Sequence, residues 1–167
     1  FRHENQGVCS WAVRLDGSDD PPVVVAYDTT FQNPTPCTRT FSNYIYACLW
    51  DWGTVLNRPL VQAQNEPISE DALAFLRDHF KSELETSGWP GDHQYRFHTA
   101  DQRVLIWAIK DQADWWLTGE SPEAINRLMR LLWEVDDLGR TLWSDEAEVA
   151  AALQRVRAEM QGRPLRR

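Results

Sequence analysis

The 167-residue sequence predicts an α+β domain with a mostly antiparallel central sheet of about five strands, packed by four helices. Strand-like segments occur in two groups, at 8–27 and 94–117, and the connections within each group are short, which favours antiparallel pairing. Four other segments repeat apolar residues at the helical period of 3.6. The length suits a single domain over residues 1–167 with a sizeable core.

The first third of the domain, residues 1–52, is predicted to begin with a hairpin. One side of the alternation at 8–15 is apolar and consists of Cys9, Trp11, Val13 and Leu15. A turn at 16–22 leads to an unbroken apolar run at 23–27, which is typical of a central strand. Because the first strand begins so close to the first residue, we expect an earlier part of the domain to be absent from this sequence.

Residues 28–39 are polar and contain two prolines, which predicts a loop. A helix is then predicted from Thr40 to about Gly53. Its residues at the helical period are Phe41, Ile45, Cys48, Leu49 and Trp52. The segment 53–91 is predicted to hold a helix and linkers, with 54–68 irregular.

Within 53–91, Ser69 is predicted to cap a helix, because Glu70 and Asp71 follow it in the first turn.

The last part, residues 92–167, is predicted to form a strand meander followed by two helices. Its strands lie at 94–99, 104–109 and 113–117. Ser121, followed by a proline, opens the third helix, and Ser144 is predicted to cap the fourth.

The net charge of -8 and the pI near 4.9 argue against nucleic acid or an anionic membrane as the partner, because phosphate binding needs clustered cations. The charge is compatible with a basic protein partner, although keeping the protein in solution is the commoner role of such charge. Three cysteines without metal or disulfide spacing predict a reducing, cytoplasmic compartment. We expect no cofactor, and the oligomeric state stays open.

Residues with catalytic potential are scattered along the sequence. Cys37 lies in the predicted loop and His98 in a predicted strand, and neither has a neighbouring base or ligand pattern. Paired carboxylates occur at turns and helix starts, where capping explains them better than acid–base catalysis. We therefore predict no catalytic or metal-binding residues.

Nine tryptophans are unusually many for a chain of this size. Trp115 and Trp116 are adjacent on a predicted strand, so their side chains must point to opposite faces. An exposed tryptophan beside acidic residues would anchor a protein partner, unless a second layer of the domain covers it. The predicted partner-binding residues are Glu4, Asp19, Asp20, Trp50, Asp51, Trp52 and Trp116.

The run Glu4-Asn5-Gln6-Gly7-Val8, followed by Trp11 and by Asp20-Pro21-Pro22-Val23, resembles the signature of bacterial members of the SUKH superfamily. These are immunity-protein domains related to a fungal regulator of cell-wall synthesis. The resemblance is strongest over residues 2–52. It implies an α+β fold with helices before the signature, and a protein that neutralises a toxin domain by direct binding without catalytic residues.

Three functions therefore stand as hypotheses. The favoured one is an immunity protein that binds a basic toxin domain. The second is a general protein–protein scaffold or regulatory domain with the same fold. The third is a hydrolase that uses Cys37 or a site centred on His98.

Overall fold

A computed structural model describes residues 2–3, 9–27, 30–88 and 90–161 of the chain, with residues 2 and 3 as backbone alone. Within these residues the chain is α+β, with two antiparallel sheets and five α-helices. The predicted fold class is therefore confirmed, although the strands are more numerous than the five expected. The signature residues 4–8 and the tail 162–167 lie outside the described residues.

The smaller sheet is formed by the N-terminal part of the chain. It contains β1 (Arg2–His3), β2 (Ser10–Val13), β3 (Val23–Ala26) and β4 (Thr35–Thr38), in that spatial order. The predicted hairpin is confirmed, since β2 and β3 pair antiparallel with Trp11 opposite Val25. The strand ends at Val13 rather than at 15, and Leu15 is 89% exposed in the turn.

The larger sheet has six strands. They are β5 (Leu60–Asn65), β6 (Lys81–Ser82), β7 (Thr86–Ser87), β8 (His93–His98), β9 (Gln102–Ile109) and β10 (Gln112–Gly119). Their spatial order is β5-β10-β9-β8-β6, and β7 also pairs with β8. The antiparallel meander β8-β9-β10 was predicted from the sequence and is confirmed.

Two helices lie between strands along the chain, and the other three follow the last strand. They are α1 (Phe41–Val55), α2 (Glu70–His79), α3 (Pro122–Leu132), α4 (Leu138–Thr141) and α5 (Ala147–Gln161), with a 3₁₀ turn at Val135–Asp137. The predicted cap at Ser69 is confirmed, since its side chain accepts the backbone N–H of Ala72. The predicted helix starts at Thr40 and Ser121 are confirmed as well, and their side chains accept the N–H groups of Asn43 and Ala124.

One face of the larger sheet forms the main core with helices α2 to α5. Val104 and Ile106 of β9 and Trp115 and Leu117 of β10 are fully buried there. The indole of Trp115 donates a hydrogen bond of 2.9 Å to Asn65 Oδ1, which satisfies its only polar group. Trp116 points to the opposite face, as the strand alternation predicted.

The opposite face of the larger sheet is covered by α1, which turns Trp50 and Thr54 inward. The guanidinium of Arg103 in β9 lies 5.4 Å from the centre of the Trp50 ring. The smaller sheet packs beside α1, with Trp11 and Tyr44 in contact at a ring-centroid distance of 6.4 Å. This side of the molecule holds the candidate site.

Two predicted irregular segments contain strands. The predicted loop at 28–39 includes β4, an edge strand, where proline at position 36 removes no hydrogen bond that the sheet needs. The segment 54–68 includes β5, whose Val61 and Ala63 face the core while glutamines alternate with them. Both strands are too short or too polar for their pattern to stand out from the prolines around them.

Two predicted helix limits are wrong. The helix α1 continues through Gly53 to Val55, because a single glycine weakens a helix without ending it. Ser144 lies three residues before α5 begins; its hydroxyl accepts the N–H of Glu146 and donates to the carbonyl of Leu60, at 3.2 and 2.7 Å. Ser144 therefore fastens the chain to the edge strand β5.

Candidate functional site

The outward side of α1 carries no charge. Asp51 is the single charged residue of this helix and turns toward the sheet. The exposed positions are Phe41, Ser42, Ile45, Tyr46, Leu49, Trp52 and Gly53, and Leu56 follows directly after the helix. Leu49 and Trp52 are 70% and 58% exposed. A surface helix normally shows charged residues on this side, so α1 is unusual.

Most of the apolar residues that repeat at the helical period in α1 are on its exposed side, not on its buried side. Residues at the helical period usually mark the buried face of a helix. In α1 four of the five predicted residues, Phe41, Ile45, Leu49 and Trp52, face outward and Cys48 lines the cavity, because Ala47, Trp50 and Thr54 occupy the side that meets the sheet.

An open cavity of about 450 Å³ lies along the same helix. Its walls come from α1, from β2 and β4 of the smaller sheet, from β9 and from the connection around β7 and β8. The main apolar side chains of the walls are Trp11, Tyr44, Trp52, Val55, Leu56 and Trp107. The volume falls in the range of ordinary ligand pockets, and the apolar walls are typical of such pockets.

The floor of the cavity holds a buried ion pair. Arg96 of β8 donates from Nε to Oδ1 of Asp51 at 2.6 Å, and from Nη2 to Oδ2 at 2.8 Å. Arg96 is 2% exposed. Burial raises the pKa of Asp51, and the two hydrogen bonds from Arg96 oppose that shift. The pair therefore ties α1 to the sheet beneath the cavity.

Further hydrogen bonds surround this pair. Arg96 Nη1 donates to the Leu84 carbonyl at 2.8 Å and to Thr86 Oγ1 at 3.1 Å. Thr86 in turn donates to Gln94 Oε1 at 2.6 Å. The amide of Gln94 donates to the carbonyls of Gly88 and Gly91. These polar groups are satisfied by one another, whereas the buried indole N–H of Trp107 in the wall has no hydrogen-bond partner among the described residues. An occupant of the cavity therefore gains from the apolar walls and from this one donor.

Cys37 also lines the cavity, but its thiol is not activated. Burial, followed by the neighbouring Cys48, raises the pKa of the Cys37 thiol to about 12, so it stays protonated at neutral pH. No histidine is among the described residues that line the cavity. A thiolate nucleophile needs a lowered pKa and a base, and the geometry around Cys37 offers neither.

His98 takes part in a separate polar cluster. Its Nε2 lies 2.8 Å from Oε1 of Glu83, whose other oxygen accepts the hydroxyl of Tyr46 at 2.8 Å. The hydrogen bond from Tyr46 lowers the pKa of Glu83 and raises that of Tyr46. Among the described residues, no three His, Cys, Asp or Glu side chains are placed to hold a metal ion.

The structure separates the predicted partner-binding residues. Trp52 stands at the rim of the cavity, whereas Trp50 is buried and Asp51 belongs to the floor. Trp116 packs against Trp107, a cavity residue, at a ring-centroid distance of 4.1 Å. These residues therefore lie on one side of the larger sheet.

The remaining predicted residues lie elsewhere. Asp20 accepts the N–H of Ser42 at the start of α1, at 2.9 Å, and this hydrogen bond lowers its pKa. Asp19 is exposed in the turn before β3. Glu4 lies outside the described residues.

Several residues of the site were not predicted from the sequence. Arg96 lies in β8 and Trp107 in β9, and nothing in the alternation of these two strands indicates that a cavity lies beside them. The missing charge on α1, by contrast, is visible in the sequence, because the run 41–55 contains one charged residue in fifteen.

Comparison of the chain with models of known protein families, with curated proteins and with solved structures found no significant match. In the part of the chain that the structure describes, no helix has both the length and the apolar character that crossing a bilayer requires.

Proposed function

We propose that the chain is a non-catalytic protein-binding domain of the immunity type, which neutralises a toxin domain by binding it directly. The observation that carries this proposal is the open apolar cavity with Trp52 exposed at its rim. A tryptophan at the edge of an apolar pocket is a frequent centre of binding energy in protein interfaces. The resemblance of the first 52 residues to the SUKH signature supports the immunity role.

The charge of the chain supports a basic partner. A protein with a net charge of -8 attracts a cationic domain over distance and accelerates the encounter. The cavity would then accept an apolar side chain of that domain, since its own polar floor is already satisfied. Nothing in this arrangement requires a catalytic step.

A general scaffold or regulatory domain is the second candidate, because the same cavity would serve any protein partner with a suitable apolar side chain. The identity of the partner separates the two. A cationic toxin domain encoded beside this chain supports the immunity role, and a native partner without toxicity supports the scaffold.

The test is co-expression of the chain with the toxin domain encoded next to it. We expect the wild-type chain to protect the cells and to bind the purified toxin domain in calorimetry, with affinity that falls as salt rises. Trp52→Ala should weaken binding by at least about 30-fold. Leu131→Ala is the matched control, since Leu131 is 39% exposed on α3, behind the opposite face of the sheet.

Absence of binding by the wild-type chain to that toxin domain would count against the immunity proposal. Equal loss of affinity in the two variants would show that the binding surface is not the cavity.

A further inference from the structure

We infer that, without a partner, two copies of the chain associate through the outward side of α1 to form a two-fold dimer. This inference goes beyond the proposed function, since it concerns the oligomeric state of the protein by itself. It rests on the size, the charge and the spacing of one surface. That surface, here called the α1 stripe, consists of Phe41, Ile45, Tyr46, Leu49, Trp52 and Leu56.

The area of the α1 stripe suits a stable dimer. Its six side chains are between 40% and 70% exposed. Together they offer on the order of 700 Å², close to the roughly 800 Å² that each partner buries in an interface of standard size. An apolar patch on an ordinary monomer seldom exceeds about 600 Å². The stripe is therefore large enough to form an interface.

The charge pattern selects a second copy as the occupant. With a net charge of -8, two copies repel each other wherever their acidic surfaces meet. The α1 stripe itself carries no charge, and the carboxylates of Asp20 and Glu83, which accept from Ser42 and Tyr46, lie at its edge. The centre of the stripe can therefore meet its own copy without placing like charges opposite each other.

The spacing of the stripe suits helix-to-helix packing. Phe41, Ile45, Leu49, Trp52 and Leu56 follow one another at steps of four, four, three and four residues, which is the spacing of residues that interlock between paired helices. In a two-fold dimer the same patch serves both copies, so one stripe is enough to build the interface. An antiparallel arrangement of the two α1 helices also opposes their dipoles favourably.

The dimer has a consequence for partner binding, and this step rests on the proposed function. Trp52 and Leu56 belong both to the α1 stripe and to the walls of the cavity. A second copy that covers them competes with the toxin domain, so the dimer must separate before the complex forms. The dimer thus protects the apolar surface until the partner arrives.

Sedimentation equilibrium of the 167-residue chain tests the dimer without any partner. We expect the wild type to associate at micromolar concentration. Leu49→Glu should weaken the association by at least about a hundredfold, because two unpaired carboxylates would be buried in the interface. Leu131→Glu, a change of the same kind on α3, should leave it unaltered. Circular dichroism checks that both variants fold.

Salt separates the dimer from the complex. Screening of the repulsion between two acidic copies should strengthen the dimer as sodium chloride rises, whereas binding to a basic domain should weaken. A wild type that stays monomeric up to millimolar concentration would overturn the dimer and leave the proposed function standing. Equal dissociation of the Leu49 and Leu131 variants would overturn the assignment to α1. A toxin domain that fails to bind bears on the proposed function alone.

Discussion

Arg96 of β8 holds Asp51 of α1 through two parallel hydrogen bonds of 2.6 and 2.8 Å, and the guanidinium is almost fully buried. This bidentate geometry is the strongest form of an ion pair between side chains. It joins the helix that carries Trp52 to the sheet that forms the opposite wall of the cavity. This pair, together with the buried Trp50 and Thr54, therefore sets the orientation of the candidate site.

Replacing Asp51 by asparagine should destabilise the fold by about 3 to 5 kcal/mol, because Arg96 would remain charged and buried without a counter-charge. Urea unfolding measures the change. Glu159→Gln is the control, since it removes an ion pair with Arg130 of which both side chains are about 40% exposed; we expect a loss of at most about 1 kcal/mol there. A similar loss in both variants would mean that the buried pair contributes no more than a surface pair.

Gly88 should be intolerant of alanine. Its φ of +84° is left-handed, and a Cβ would lie 2.3 Å from Cγ1 of Val25 in β3. Gly17 has a similar φ of +87° but no heavy atom within 4 Å of its would-be Cβ. Gly17→Ala should therefore cost about 1 to 2 kcal/mol from backbone strain alone, and Gly88→Ala should cost about 1 to 3 kcal/mol more.

Thermal or urea unfolding of the two alanine variants compares these costs directly. If the two glycine variants lost the same free energy of unfolding, the close approach between Gly88 and Val25 would add nothing to the cost of a Cβ at position 88. The contact matters because it joins the smaller sheet to the connection that walls the cavity.

The sequence was most informative where local chemistry decides the structure. Helix starts at Ser69 and Ser121 follow from capping hydrogen bonds within three residues, and the meander follows from short turns. The orientation of α1 could not be predicted in the same way. Periodicity shows which residues share a side of a helix, but it does not show whether the sheet meets that side or the side of Trp50.

The cavity could not be predicted from the sequence for a related reason. Its floor joins Asp51, Thr86 and Arg96, which are separated by at least ten residues each and meet only through the pairing of β7 with β8 and the packing of α1. Of the predicted partner-binding residues, Trp52 fits the proposed role best. Trp50 and Asp51, its neighbours in sequence, serve the packing of the helix.

The pH dependence of stability should reveal the buried thiol of Cys37. Its pKa is raised from an ordinary 9.0 to about 12, so above pH 9 the unfolded chain loses this proton while the folded chain keeps it. The stabilisation of the folded state by the protonated Cys37 thiol is fully present below pH 9. It is lost as the pH rises toward 12, and the free energy of unfolding then falls by at most about 1.4 kcal/mol per pH unit.

Comparison of wild type with Cys37→Ala isolates this effect, because other groups that titrate in alkali are common to both. Urea unfolding between pH 8 and about 10.5 should show a steeper decline for the wild type. Parallel curves would contradict the protonated thiol, and would restore interest in Cys37 as a nucleophile.

Truncation of Trp50 should cost much more stability than truncation of Trp52, although only Asp51 separates the two residues. Trp50 is buried beneath Arg103, so Trp50→Ala should cost about 3 to 5 kcal/mol of stability. Trp52 is 58% exposed, so Trp52→Ala should change the stability of the monomer by no more than about 0.5 kcal/mol. Urea unfolding at low protein concentration gives both values.

The same Trp52 variant should nevertheless weaken the dimer in sedimentation, because its side chain supplies a large part of the α1 stripe. Stability and association would thus be separated within three consecutive residues; a Trp52 variant that loses several kcal/mol of stability would place this side chain in the core rather than at an interface.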